Sequence, residues 1–176
     1  ILWDMAILFA AGNEGVDGNS DGEVDLDSMS SPGTSKNVIT VGATENDRSS
    51  VTATWGGWWP ADYPTNPINS DRQADNIEGM AAFSSRGPTD DSRLKPDVSA
   101  PGAWILSTKS RDTTSVGWGA YNTSYTYMGG TSMATPLTAG ATALLIQHLD
   151  DNLGHSQPSS ALVKAILAAS STDMAG

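Results

Sequence analysis

An α/β layered domain, a mostly parallel sheet flanked by helices, is the fold class that this sequence predicts. Three observations carry it. Short apolar runs of strand character end in turn chemistry, as Ala6-Ile7-Leu8-Phe9-Ala10-Ala11 ends at Gly12-Asn13. A β-branched run, Asn37-Val38-Ile39-Thr40-Val41-Gly42-Ala43, follows a polar loop. Two later segments, 133–149 and 159–169, then carry apolar residues at helical spacing. Strands alternating with helices bury both faces of a sheet, which makes a layered domain.

Taken in order, the first strand spans 6–11 and a polar, acidic, glycine-containing loop spans 14–35. The second strand spans 37–43. Residues 44–79 show no periodicity and read as a long surface-loop insertion, with Trp55, Trp58, Trp59 and Tyr63 among prolines and glycines. Those aromatics fit either a patch that stacks on sugar or substrate, or a minicore anchoring the loop. Short strands are expected at 80–83, 97–100, 104–107 and 125–128, separated by turns such as Arg86-Gly87-Pro88. The helix over 133–149 carries Ala141, Leu144, Leu145 and Leu149. The last helix has Leu162, Ile166 and Ala169 on one face, with Ser159 or Ser160 as its cap after Pro158.

Composition narrows the function. With 20 acidic and 9 basic residues the net charge is −11, which argues against nucleic acid as partner, since phosphate backbones demand a basic surface. No run approaches the roughly 18 apolar residues of a membrane span. The absence of cysteine excludes disulfides and thiolate metal sites. The opening Ile1-Leu2-Trp3-Asp4-Met5 has no leader-like basic segment and reads as the interior of a structural element, the pattern of a fragment. An acidic surface is compatible with a secreted or a salt-adapted protein.

Two turns could carry chemistry. Gly130-Thr131-Ser132-Met133-Ala134-Thr135-Pro136 sets a serine between a tight turn and a helix start, where unpaired amides and the helix dipole favour negative charge. That is the environment an acyl-transfer nucleophile needs, and equally the place for a helix cap. Ala10-Ala11-Gly12-Asn13-Glu14-Gly15 ends a strand with an asparagine, either a side-chain amide donor for a forming oxyanion or a plain turn residue. A third stretch, from Asp17 to Ser28, spaces oxygen side chains in the manner of an EF-hand loop. Asp17, Asn19 and Asp21 alternate, Gly22 follows, and Glu23 and Asp25 come after; Ser28 stands where a bidentate glutamate belongs. The readings are a structural calcium site or a solvated acidic loop.

Taken together these blocks resemble the subtilisin-like serine proteases, and are most similar to the large bacterial alkaline members. The resemblance rests on Phe9-Ala10-Ala11-Gly12-Asn13-Glu14-Gly15, Ser31-Pro32-Gly33-Thr34, the run Asn37 to Ala43, Phe83-Ser84-Ser85-Arg86-Gly87-Pro88, Lys95-Pro96-Asp97-Val98-Ser99-Ala100-Pro101-Gly102, and Gly130 to Pro136, in family order. It implies that residues 1–176 are the C-terminal portion of a catalytic domain cleaving peptide bonds in protein substrates. Ser132 matches the nucleophile and Asn13 the oxyanion donor. Ala10, Ala11 and Gly12 match a wall of the pocket for the side chain before the scissile bond, with Glu14 at its rim favouring basic or polar groups. Ser31-Pro32 aligns with a turn that is often cis in the family.

The resemblance implies an aspartate and a histidine that precede the asparagine in chain order. Here His148 and His155 both follow Ser132. His148 is sixteen residues further on, about 24 Å along a helix. The expectation is therefore a chain inactive by itself, partnered by an N-terminal half that supplies Asp and His. Without that half, exposed sheet edge and apolar surface favour self-association. The alternatives are a non-catalytic calcium-binding or structural fragment of a secreted protein, and an α/β-hydrolase esterase. The esterase elbow Gly-x-Ser-x-Gly fails at Ala134.

Overall fold

The computed structural model describes residues 5–174; residues 1–4 of the opening stretch and 175–176 lie outside the described residues. Its centre is a three-stranded parallel sheet in the order β1-β2-β3, formed by β1 (Leu8–Ala10), β2 (Ile39–Thr44) and β3 (Val98–Pro101). β2 is buried over its whole length, as its place between two neighbours and its Ile39, Thr40 and Val41 side chains dictate. All three strands run the same way, so their C-terminal ends open together onto Gly12, Glu45 and Gly102.

A 23-residue helix, Thr131–Leu153, packs across all three strands; the 11-residue helix Ser160–Ser170 follows it and buries Val163. These are α2 and α3, since α1 is the single turn Trp55–Trp58. Ser159 caps α3, its side chain accepting the Leu162 N–H at 3.2 Å. The chain between β3 and α2 makes a second sheet from β4 (Ile105–Thr108), β5 (Gly119–Ala120) and β6 (Tyr125–Met128), in the order β4-β6-β5 and antiparallel. The α/β class with a parallel sheet and flanking helices therefore holds, and the later strands form a separate antiparallel layer.

Three local expectations need correction. Residues 80–83 make no strand: Met80 has one isolated bridge to Thr44, and the chain then turns with Ser84 N–H donating to the Ala81 carbonyl at 2.9 Å. Ala81, Ala82 and Ser84 are buried by that turn against β2, where Ser84 Oγ accepts the Ala43 N–H at 3.0 Å. Within 44–79, the segment expected on the surface, Trp55, Tyr63, Gln73 and Ala74 are buried and Trp55 belongs to the main core. Finally, Leu144 is 69% exposed although it shares the helix with buried Leu149.

Candidate functional site

The C-terminal ends of the parallel strands meet the N-terminus of α2. Gly130 is the N-cap, its amide donating to the Gly102 carbonyl just beyond β3 at 2.9 Å. The Thr131 N–H donates to Asn13 Oδ1 at 2.9 Å, and the buried Thr131 hydroxyl lies 3.0 Å from the same oxygen. That hydroxyl is also 3.3 Å from the Gly12 nitrogen and 3.2 Å from the Gly12 carbonyl, so β1 and α2 are joined on either side of one threonine. Thr131 is the residue that sequence reasoning passed over. Its only signal was its place directly before Ser132.

This arrangement orients the amide of Asn13. With Oδ1 accepting the Thr131 N–H, the Nδ2 group finds no acceptor among the described residues. The backbone N–H of Ser132 likewise has no acceptor among them, as expected for the first turn of a helix. Ser132 is exposed, and its hydroxyl does not cap α2, which has no side-chain cap bond. Pro136 lacks an N–H, so the Ser132 carbonyl misses its usual donor one turn on.

Gly12 needs to be glycine for two reasons. Its φ is +112°, and a Cβ there would fall on the Glu14 carboxylate and 2.7 Å from Ser85 Oγ. Ser85 in turn donates to Glu14 Oε2 at 2.7 Å, while its hydroxyl accepts the Glu14 N–H at 3.1 Å. Glu14 is thereby folded back over Gly12. Ala11 is fully buried, with its amide on the Val41 carbonyl at 2.9 Å, while Ala10 is half-buried. The Ser31-Pro32 peptide is cis.

No base stands beside Ser132 among the described residues. His148 is exposed and its Nδ1 lies 3.2 Å from Asn152 Nδ2, within its own helix. His155 is exposed past the end of α2, held by its backbone amide to the Leu149 carbonyl at 2.9 Å.

The acidic loop folds on its own oxygens. Asp17, 1% exposed, accepts the Asp21 and Gly22 amides at 2.9 and 3.1 Å. Asn19 Oδ1 accepts the Asp21 N–H, Asp21 Oδ1 the Glu23 N–H and Asp25 Oδ2 the Gly18 N–H, at 2.8 to 2.9 Å. Among the described residues no three acidic groups converge as a ready metal cage.

The tryptophans of the 44–79 segment form one herringbone with later residues. Trp58 and Trp59 lie 5.7 Å from Trp118 between ring centroids, and Phe83 lies 5.9 Å from it. Trp118 rests on the serine turn itself, because a Cβ at Gly129 would fall inside its ring. Glu45, at the end of β2, accepts the Trp55 indole N–H at 2.9 Å and is 2% exposed. Burial, reinforced by nearby Asp71, pushes its carboxyl up to about 7 despite that hydrogen bond. Burial and neighbouring Asp62 likewise keep the Tyr63 hydroxyl protonated far above the usual range.

This junction of parallel-strand ends with a glycine-led helix start defines the class. Residues 4–176 match the Subtilase family, and the chain belongs to it. It is 34% identical over 155 residues to serine protease AprX of Bacillus subtilis, a match covering 84% of this chain and 27% of that protein. Over 81 residues it is 47% identical to the serine protease/ABC transporter B family protein tagB of Dictyostelium discoideum, covering 43% of this chain and 4% of that one. Among solved structures, Sphericase superposes with a TM-score of 0.56 at 24% identity, covering 97% of this chain and 41% of that chain. The S41 psychrophilic protease does so at 0.53 and 26% identity, covering 93% of this chain and 39% of that chain. The chain thus spans well under half the length of these proteins.

Proposed function

We propose that this chain is the serine-bearing portion of an endopeptidase, with Ser132 as nucleophile and Asn13 as oxyanion donor. One observation carries the reading: Thr131 holds the Asn13 carboxamide by its oxygen, leaving Nδ2 on the loop after β1 and the N–H of Ser132, the residue next to Thr131, as two unclaimed donors. Ser132 Oγ attacks the substrate carbonyl carbon, and the oxygen that becomes negative is held by those two donors. The hydroxyl proton passes to a histidine and then to the departing amine; water afterwards releases the acyl group.

The histidine and its aspartate come from an N-terminal portion of the protease domain. The surface supports such a partner. β1 is an edge strand, with Phe9 in it and Met5 and Ile7 just before it exposed, and at the other edge of the sheet α2 leaves Leu137 exposed beside β3. Apolar side chains next to an open sheet edge need covering, by that portion or by a second copy of the chain. Ala10, Ala11 and Gly12 then form a wall for the side chain before the scissile bond, with Glu14 at the rim.

Fluorophosphonate labelling tests the assignment. The chain joined to its Asp- and His-bearing portion should be labelled, and Ser132→Ala should not. The chain alone should label slower by up to the order of 10⁶, the loss of turnover for removal of histidine in subtilisin. Rapid labelling of the chain alone would contradict the need for a partner, and labelling that survives in Ser132→Ala would contradict the nucleophile.

A structural calcium ion on Asp17, Asn19, Asp21, Glu23 and Asp25 belongs to the same proposal. Asp17 is a buried carboxylate with no cationic partner among the described residues, which supports it. The acids would have to close around the ion, since their oxygens now serve loop amides. Melting raised by excess calcium and lowered by chelator is expected; identical curves would reject the site. Secretion is proposed on the acidic surface and the family. None of the helices of the described residues is long and apolar enough to cross a membrane. Recovery of the protein from culture medium tests it.

A further inference from the structure

We infer that a cavity walled by Arg48, Trp104 and Tyr127 binds a carboxylate carried on an apolar body. The cavity has a volume of about 280 Å³, and Ser50, Val51 and Thr52 add to its wall. Neither Asn13, Gly130 nor Ser132 borders it, so it is separate from the serine site. The inference does not depend on the protease reading.

Arg48 supplies the recognising group. Its guanidinium lies over the Tyr127 ring, 5.1 Å from the centroid, and its Nε donates to the Trp104 carbonyl at 2.7 Å. Stacking and that bond fix the plane of the group. Its two terminal nitrogens have no acceptor among the described residues and are not sealed from water. Parallel N–H groups at the end of a fixed guanidinium match the two oxygens of a carboxylate. No acidic side chain of the described residues takes that place, since their ion pairs use Arg93, Lys95 and Lys164. With 20 acidic residues against 9 basic ones, a cation open on a cavity and without a carboxylate is the exception in this chain.

The walls are held in place without a ligand. Trp104 Nε1 donates to Oε1 of buried Gln73 at 2.9 Å, so its polar edge is satisfied and its ring remains as contact surface. Arg72 pins the stretch after Arg48, its Nη2 donating to the Val51 carbonyl and, at 3.2 Å, to the Ser49 carbonyl. Aromatic rings beside a single cation select a monovalent acid with an apolar body. The net charge of −11 works against dianions such as phosphate. Size agrees, because an apolar cavity of about 150 Å³ already admits benzene. A free aromatic acid and the C-terminal carboxylate of a peptide ending in an apolar residue share this chemistry.

Calorimetric titration of the protein assembled with its Asp- and His-bearing portion tests this. Phenylacetate should bind saturably, at least tenfold more tightly than phenylacetamide, which keeps the ring and lacks the charge, and than inorganic phosphate. Arg48→Met should abolish the difference between acid and amide. Arg48→Lys should lower it severalfold, because a point charge replaces the fork. Should Arg48→Met not fold, Thr52→Glu adds a carboxylate to the wall at an exposed position and should by itself abolish phenylacetate binding. Gly-Gly-Phe and its C-terminal amide separate the two sources. A peptide acid bound at least as tightly as phenylacetate, and more tightly than its amide, assigns a peptide terminus; weaker binding assigns a small free acid. No saturable binding of phenylacetate, equal binding of its amide, tighter binding of phosphate, or an acid preference unchanged in Arg48→Met and Thr52→Glu overturns the inference. Binding should also persist once Ser132 carries a fluorophosphonate. Its loss would place the probe at the serine site and overturn the inference as well. If Ser132 takes no label, the protease reading fails, and the titration still decides the cavity.

Discussion

Asn13 Oδ1 accepts the backbone N–H of Thr131 at 2.9 Å, across 118 residues of sequence. That bond joins the loop after the first strand to the first turn of the long helix. It also decides which end of the carboxamide the chain itself engages, because Oδ1 accepts from Thr131 while Nδ2 has no acceptor among the described residues.

Asn13→Asp separates the two roles of the side chain. The carboxylate keeps an acceptor for the Thr131 amide and loses the Nδ2 donor. In the assembled protease, kcat should fall by about 10² to 10³, the subtilisin magnitude for one lost oxyanion donor, with the melting temperature nearly unchanged. Steady-state kinetics beside calorimetry read both. Equal loss of stability and activity would make Asn13 a structural tether only.

Glu45 should make the fold less stable as pH rises. Its carboxyl titrates at about 7 when folded, above the ordinary value of 4.5. Between those values the unfolded chain releases a proton that the folded chain keeps, so stability is full below about 4.5 and falls until about 7. Asp71, also raised by burial, acts in the same direction. The full effect is on the order of 3 kcal/mol for Glu45. Urea midpoints at pH 5 and pH 7.5 should differ in the native protein, and Glu45→Gln, which keeps an acceptor for Trp55, should flatten most of that difference.

Asp97 should have the opposite sign. Burial works against its charge, but hydrogen bonds from Lys164 and Lys95 prevail and hold the carboxyl below its usual range. Lys95 Nζ lies 2.6 Å from Oδ2, Lys164 Nζ 2.8 Å from Oδ1, and the Thr40 amide donates to Oδ2 at 2.8 Å. Its contribution is present above the unfolded carboxylate value and fades as pH falls through the lowered one. Asp97→Ala leaves the buried Lys95 ammonium without its partner and should destabilise by roughly 3 to 5 kcal/mol at neutral pH. Chemical denaturation measures it; a loss below about 1 kcal/mol would show that Lys95 finds other compensation.

The sequence made the ends of the fold plain and left its middle obscure. Tyr125–Met128 matches the strand expected there, and Ser159 caps the last helix as Pro158-Ser159 suggests. Both are governed by local rules. The segment 44–79 is governed by side chain-to-backbone bonds that follow no period, such as Asn69 Nδ2 on the Tyr63 carbonyl at 2.7 Å and Gln73 Nε2 on the Thr54 carbonyl at 3.0 Å. The apolar run at 80–83 signalled burial correctly, but burial was reached through a turn. For the site, serine and asparagine were legible as motifs. Thr131 and Trp118 were not, since each acts through a neighbour distant in sequence.

The most direct measurement is a crystal structure of the assembled protease carrying a peptide aldehyde on Ser132. The former carbonyl oxygen is predicted to lie about 2.7 to 3.1 Å from both Asn13 Nδ2 and the Ser132 backbone nitrogen. An adduct oxygen pointing to solvent, away from both donors, would contradict the account.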